Sequence, residues 1–132
     1  MTVIYVDTSS ALKLLLEEEG TDRVQQLFGA AKHGRSVLAS SRLLRTEMHR
    51  IAFRESIPLP SVTRVLAYVH LVDVTRAILD SAGELPFHLR TLDAIHLATA
   101  ATLSSDDDEV QLLTDDSRMR DVGQAMGIGT VP

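Results

Sequence analysis

Five acidic side chains stand where a strand end or a first helical turn would hold them: Asp7, Glu47, Asp93 and the pair Asp115-Asp116. Asp7 directly follows the apolar run Thr2-Val3-Ile4-Tyr5-Val6, and Asp115-Asp116 follow the run Val110 to Leu113 after one threonine. Glu47 falls in the first two turns of one helical pattern and Asp93 in the first turn of another. Carboxylates held at close range repel, and each raises its neighbours' pKa. Proteins keep such clusters chiefly to bind hard cations. Mg²⁺ and Mn²⁺ prefer oxygen ligands, and no thiolate competes, because the chain has no cysteine. The chemistry best served is hydrolysis at phosphorus, where a cation polarises the phosphoryl oxygen and acidifies a bound water.

The other reactive residue types are less informative. His33, His49, His70, His88 and His96 form no H-x-x-x-H or HExxH pair, which speaks against zinc. His96 follows Asp93 by three residues and shares its helix face. No Walker loop, G-x-G-x-x-G or G-x-S-x-G is present. Asp7-Thr8-Ser9 lacks the second aspartate of a D-x-D phosphatase nucleophile. Arg42, Arg45, Arg50 and Arg54 share the helix of Glu47, and Arg118 and Arg120 follow Asp116. They are either a solvated helical face or phosphate-positioning groups beside a metal site. Aromatics make up 4% of the chain and tryptophan is absent, so a base-stacking platform is poorly supported.

The elements that must position these acids alternate between strand and helix. Thr2 to Val6 reads as a buried strand, followed by a helix capped by Thr8 or Ser9 and closed by Glu17 to Gly20. Thr21 to His33 reads as a second helix, with Gly34 as its stop. Ser36 to Ala39 is a short strand, and Ser40 or Ser41 caps a helix to about Glu55. Pro58 and Pro60 open a helix from Ser61 to Tyr68. Val69 to Val74 is a third strand, and a short helix runs from Thr75 to Ala82. Thr91 caps a long helix from Leu92 to about Leu103. Val110 to Leu113 is a fourth strand, Asp116 or Ser117 caps the last helix, and Ile128 to Val131 reads as a fifth strand. This order predicts a single α/β domain spanning residues 1–132. Its core is a parallel sheet of four to five strands with helices on both faces.

Strand polarity sorts the acids. In an open α/β sheet, ligands sit outside the carboxyl ends of the strands. Asp7 and Asp115-Asp116 end strands, and Glu47 lies in the helix that leaves the second strand. The helix from Thr91 must run back to the amino edge to enter the fourth strand, so its first turn, with Asp93, lies at the carboxyl edge. Four acids from distant segments therefore share one rim. The denser run Asp106-Asp107-Asp108-Glu109 precedes the fourth strand and falls on the opposite edge. It reads as a solvated turn, without the alternating acids and glycine of a calcium loop.

Length and composition set the outer bounds. A chain of 132 residues suggests one domain that buries roughly two-thirds of the surface its unfolded form exposes. Hydrophobic residues make up 45% and charged residues 23%, an ordinary soluble balance. The absence of cysteine fits the cytoplasm, the start of the chain does not read as a signal peptide, and no apolar run reaches the ~20 residues of a membrane span. A net charge of −5 argues against bulk attraction to a phosphate backbone. Nucleic-acid contact would need a local basic patch or a bound cation.

The blocks V-I-Y-V-D-T-S-S-A-L, T-E-M-H-R, L-D-A-I-H-L-A-T-A and L-L-T-D-D-S-R-M, ahead of a terminal A-M-G, resemble the PIN domain. More narrowly, the chain is similar to the VapC toxins of bacterial VapBC toxin–antitoxin pairs, and its length fits a free-standing toxin. The resemblance implies a Mg²⁺- or Mn²⁺-dependent endoribonuclease in which Asp7, Glu47 and Asp93 are catalytic, metal-binding acids. The fourth family acid follows a threonine with one residue between, which selects Asp116 and leaves Asp115 in the variable position. It also implies that Thr8 or Ser9 lies near the metal, that the chain acts on RNA as a homodimer, and that a VapB-like antitoxin obstructs the site with a basic side chain. Accessory roles fall to Asp115 and His96, and phosphate contacts to Arg42, Arg45, Arg50 and Arg118. Two other readings are a PIN-type RNA-processing enzyme and a non-catalytic interaction module whose acids bind a partner's arginines.

Overall fold

A computed structural model describes residues 2–16 and 21–131. The expected close of the first helix at Glu17 to Gly20 lies outside the described residues. The elements run β1 (Thr2–Val6), α1 (Thr8–Leu16), α2 (Thr21–Lys32), β2 (Val37–Ser41), α3 (Leu43–Arg54), α4 (Leu59–Leu66), β3 (Val69–Val72), α5 (Arg76–Gly83), α6 (Thr91–Thr102), β4 (Glu109–Leu113), α7 (Ser117–Ala125) and β5 (Gly129–Thr130). All strand pairs are parallel, in the order β3-β2-β1-β4-β5. The expected α/β sheet is therefore present with five strands.

Alternate residues of the strands face opposite layers, as a strand's period of two demands. Ile4 and Val6 of β1, with Leu38 and Leu113, pack against Ala11, Val24, Phe28, Leu44, Met48 and Val62. Tyr5, Val110 and Leu112 point the other way, against Leu97, Met119 and Val122 of α6 and α7. A third cluster joins Ile78 and Ala82 of α5 to Ala94, Ile95 and Ala98 of α6. Helices thus cover both faces, which fits strands that are largely apolar, with polar breaks at Ser40-Ser41, His70 and Gln111. Helix α7 lies so close to β4 that a Cβ on Gly123 would meet the Leu112 side chain at 3.2 Å.

The helix starts differ from the sequence reading in an instructive way. Asp7, not Thr8 or Ser9, caps α1: its Oδ1 accepts the Ser10 N–H at 3.0 Å and the Ser9 hydroxyl at 2.7 Å. Ser41 ends β2, yet its Oγ accepts the Leu43 N–H at 3.1 Å and so serves the start of α3 from the strand. Thr91 is already helical; Arg90 precedes it in an extended conformation without a side-chain cap. Thr75 and Asp116 cap α5 and α7 through their own side chains. Strand β3 ends at Val72 instead of Val74, and Val74 packs in the α5–α6 cluster.

Candidate active site

The strand order creates the site. From β1 the chain moves outward through β2 to β3, then returns to the other side of β1 as β4 and continues to β5. The direction of winding reverses between β1 and β4, and crevices form at such switch points beyond the carboxyl ends of the strands. Val6 of β1 pairs with Leu113 of β4, so the next residues, Asp7 and Thr114, emerge side by side. The Asp7 N–H donates to the Leu113 carbonyl at 3.2 Å, carrying the ladder one residue further.

Asp7 is 4% exposed. Its Oδ2 accepts a hydrogen bond from the Thr114 hydroxyl, while Oδ1 serves Ser9 and Ser10. Burial pushes its pKa above the ordinary 3.8; the bonds from Thr114, Ser9 and Ser10 pull it partly back. A raised carboxylate at the rim was expected from repulsion among acids, but the cause is desolvation. Thr114 extends the network, because its Oγ1 accepts the Asp116 N–H at 3.0 Å.

Asp116 divides its carboxylate. Oδ1 caps α7 by accepting the Arg118 and Met119 N–H groups at 2.8 and 3.1 Å, and Oδ2 lies 4.0 Å from the Arg90 guanidinium. The same guanidinium donates through Nε to Asp93 at 3.3 Å. Asp93, Asp116, Arg90, His88 and Arg118 line an open cavity of about 380 Å³. Asp115 points elsewhere, exposed and paired with Lys13 of α1 at 3.2 Å. Its N–H donates to the Ser9 hydroxyl at 3.1 Å.

Glu47 reaches the rim through His96 of α6, whose Nε2 lies 2.8 Å from Glu47 Oε1 and 3.3 Å from Thr8 Oγ1. His96 is 2% exposed, so Asp93 marks the wet first turn of α6 and His96 its buried next turn. The acids are thus joined through Thr114, Arg90, His96 and Thr8. Among the described residues, no three His, Asp or Glu side chains form one group that could hold a metal ion as they stand. Their chemistry fits a hard cation, since every proposed donor is a carboxylate oxygen. Arg90, the counter-charge between Asp93 and Asp116, holds the place a cation would contest.

The arginines separate. Arg118 lines the cavity and anchors itself by donating from Nε to the His88 carbonyl at 3.0 Å. Arg50 stacks over Phe53, 5.4 Å from the ring centroid, and Arg54 pairs with Glu55 at 3.0 Å. Arg42 and Arg45 are exposed, and helical periodicity turns both away from Glu47. Arg90, Thr114 and Tyr5 were not singled out from sequence. Thr114 had the clearest signal, as the residue after β4 in register with Asp7.

A PIN domain profile matches residues 4–125. "Ribonuclease VapC46" of Mycobacterium tuberculosis is 38% identical over 99% of this chain and 98% of its own length. "Ribonuclease VapC35" of the same species is 33% identical over 98% of this chain and 96% of its own. The chain therefore belongs to the PIN-domain family, in its VapC branch. Two solved structures share the fold. One is VapBC2 from Rickettsia felis bound to a promoter DNA fragment, with TM-score 0.72, 12% identity, and 98% of this chain and 97% of that one covered. The other is a toxin–antitoxin complex from Klebsiella pneumoniae, with TM-score 0.64, 18% identity, and 87% and 88% covered. No helix among the described residues is long and apolar enough to cross a membrane.

Proposed function

We propose that the chain, acting over residues 1–132 as one PIN domain, is a Mg²⁺- or Mn²⁺-dependent endoribonuclease and the toxin of a toxin–antitoxin pair. The observation that carries this reading is the convergence of Asp7, Glu47, Asp93 and Asp116, from four distant segments, on the carboxyl edge at the β1/β4 switch point. Asp7, Asp93, Asp116 and Glu47 would hold the cation. When bound, it supplies phosphoryl polarisation and a more acidic water. Asp7 is fixed by three donors, so its position is set before any ligand arrives. Thr114 ties Asp7 to Asp116, and Thr8 and Ser9 complete the polar floor. Arg118, tethered to the His88 carbonyl, would hold an RNA phosphate beside the acids. A cation also answers the acidic net charge, since it gives the rim a local attraction for phosphate.

The names of the relatives and of the two structural neighbours support a VapB-like antitoxin as partner. A homodimer acting in the cytoplasm completes the proposal. Induced expression in a bacterial host tests it, with RNA cleavage sites mapped for wild type and Asp7→Asn. Specific cleavage by the wild type alone is expected. Identical RNA profiles from both proteins would overturn the reading.

A further inference from the structure

Glu47 differs from the other rim acids in being held by a buried imidazole, and the bonds behind that imidazole have a direction. The Ser41 N–H, which can only donate, points at Tyr5 Oη at 3.0 Å. Tyr5 is fully buried on β1, and burial pushes its phenol well above the usual range, so the hydroxyl keeps its proton. Tyr5 Oη lies 2.7 Å from His96 Nδ1, with the two rings edge to face at 5.8 Å between centroids. The nearby Ser40 and Thr99 hydroxyls spend their protons on the Val6 and Ile95 carbonyls at 2.6 and 2.7 Å. Imidazole nitrogen is the strongest acceptor the phenol faces, so Nδ1 receives its proton. A neutral ring then carries hydrogen on Nε2, aimed at Glu47 Oε1 at 2.8 Å. The opposite tautomer would set two lone pairs against each other across that distance.

We infer that His96 is a positioning residue for Glu47, held in its Nε2–H tautomer by Tyr5 and, behind it, by the Ser41 backbone. The relay commits Oε1 of Glu47 to His96 and leaves Oε2 outside that hydrogen bond. It spans four elements, β2, β1, α6 and α3. Buried partners of this kind orient metal-binding side chains, and their loss weakens metal affinity by about 10- to 100-fold. This inference rests on Glu47 being a metal-binding acid.

Two measurements test it, one of them without metal. Imidazole ¹⁵N spectra of the metal-free protein, taken at a pH where the ring is neutral, should show the His96 hydrogen on Nε2, and Tyr5→Phe should shift its Nδ1 resonance. Hydrogen on Nδ1 in the neutral ring would overturn the relay. Mn²⁺ titration, with thermal melts to confirm folding, should show about 10- to 100-fold weaker binding for His96→Leu. His96→Gln, which restores an N–H toward Glu47, should recover most of the loss. In a Glu47→Gln background, His96→Leu should cost nothing further. If His96→Leu does not fold, Tyr5→Phe keeps the ring packing and should weaken Mn²⁺ binding in the same direction. Wild-type Mn²⁺ affinity in the folded variants would overturn the positioning role. The expected tautomer in a wild type that binds no Mn²⁺ would instead overturn the metal reading of Glu47.

Discussion

Asp7 and Thr114 lie 107 positions apart in the chain and share a hydrogen bond at the ends of adjacent strands. The parallel register that pairs Val6 with Leu113 sets these two residues side by side. It links the buried acid to Asp116 through one hydroxyl, and through Asp116 to Arg90 and Asp93. Threonine suits the position because its hydroxyl can donate to Asp7 and accept from the Asp116 N–H together.

Asp93→Asn should lower RNA cleavage sharply, because a cation ligand loses its charge. The amide keeps the shape but loses the charge facing Arg90. Asp106→Ala, on the loop that enters β4, should cleave as wild type. Initial rates on one labelled RNA at fixed Mn²⁺ check both. Full activity in Asp93→Asn would remove that residue from the site.

Asp116→Asn should harm cleavage more than Asp115→Asn. Asparagine caps a helix about as well as aspartate, so the Asp116 change removes charge while leaving the start of α7 intact. Asp115 is exposed but turned to Lys13, whose side chain is buried, so its loss should show in stability more than in cleavage. Side-by-side assays at limiting Mn²⁺ decide the order. A larger loss at Asp115 would reverse the assignment of the fourth acid.

The raised pKa of Asp7 has a pH signature. A native pKa above 3.8 means that the folded protein binds more protons than the unfolded chain just above that pH. The contribution of Asp7 to stability is therefore full below 3.8 and falls as pH rises through the native pKa. Asp7→Asn should flatten this decline and leave neutral-pH stability unchanged or higher by about 1 kcal/mol. Urea midpoints of both proteins from acid to neutral pH measure it. A wild type that gains stability over the variant across this window would show Asp7 stabilised as the anion.

Removing Arg90 should tighten divalent-cation binding in the metal-free protein, because a cation then meets no guanidinium between Asp93 and Asp116. The Arg90 side chain is 83% exposed, so solvent screens the contest and the gain should stay below about 5-fold. Mn²⁺ titration of Arg90→Ala measures it. Weaker binding would mean that Arg90 organises the acids instead of competing for them.

Much of this architecture was legible in the sequence, for a physical reason. Parallel strands covered on both faces are mostly apolar, so Thr2–Val6 and Val110–Leu113 declare themselves in spite of Thr2 and Gln111. Their polarity then places Asp7, Asp116 and Asp93 at one edge. Strand order was not legible, since it depends on which segments meet across the chain. The switch point, the pairing of Thr114 with Asp7 and the reach of Arg90 followed only from that order. Tyr5 was hidden for a related reason. Within an apolar run its ring reads as core, and nothing local shows that its hydroxyl meets His96 from 91 positions away. The cap of α1 was misplaced by one or two residues because Asp7 both ends the strand and caps the helix.

The central claim is that these carboxylates hold a cation that cleaves RNA. Its most direct test is the cleavage rate of a defined RNA by the purified chain, titrated with Mn²⁺ after EDTA treatment, for wild type and Asp7→Asn. The account predicts no cleavage in EDTA, saturable recovery with Mn²⁺ in the wild type, and no recovery in Asp7→Asn. Cleavage that persists in EDTA, or that Mn²⁺ restores equally in both proteins, would contradict it.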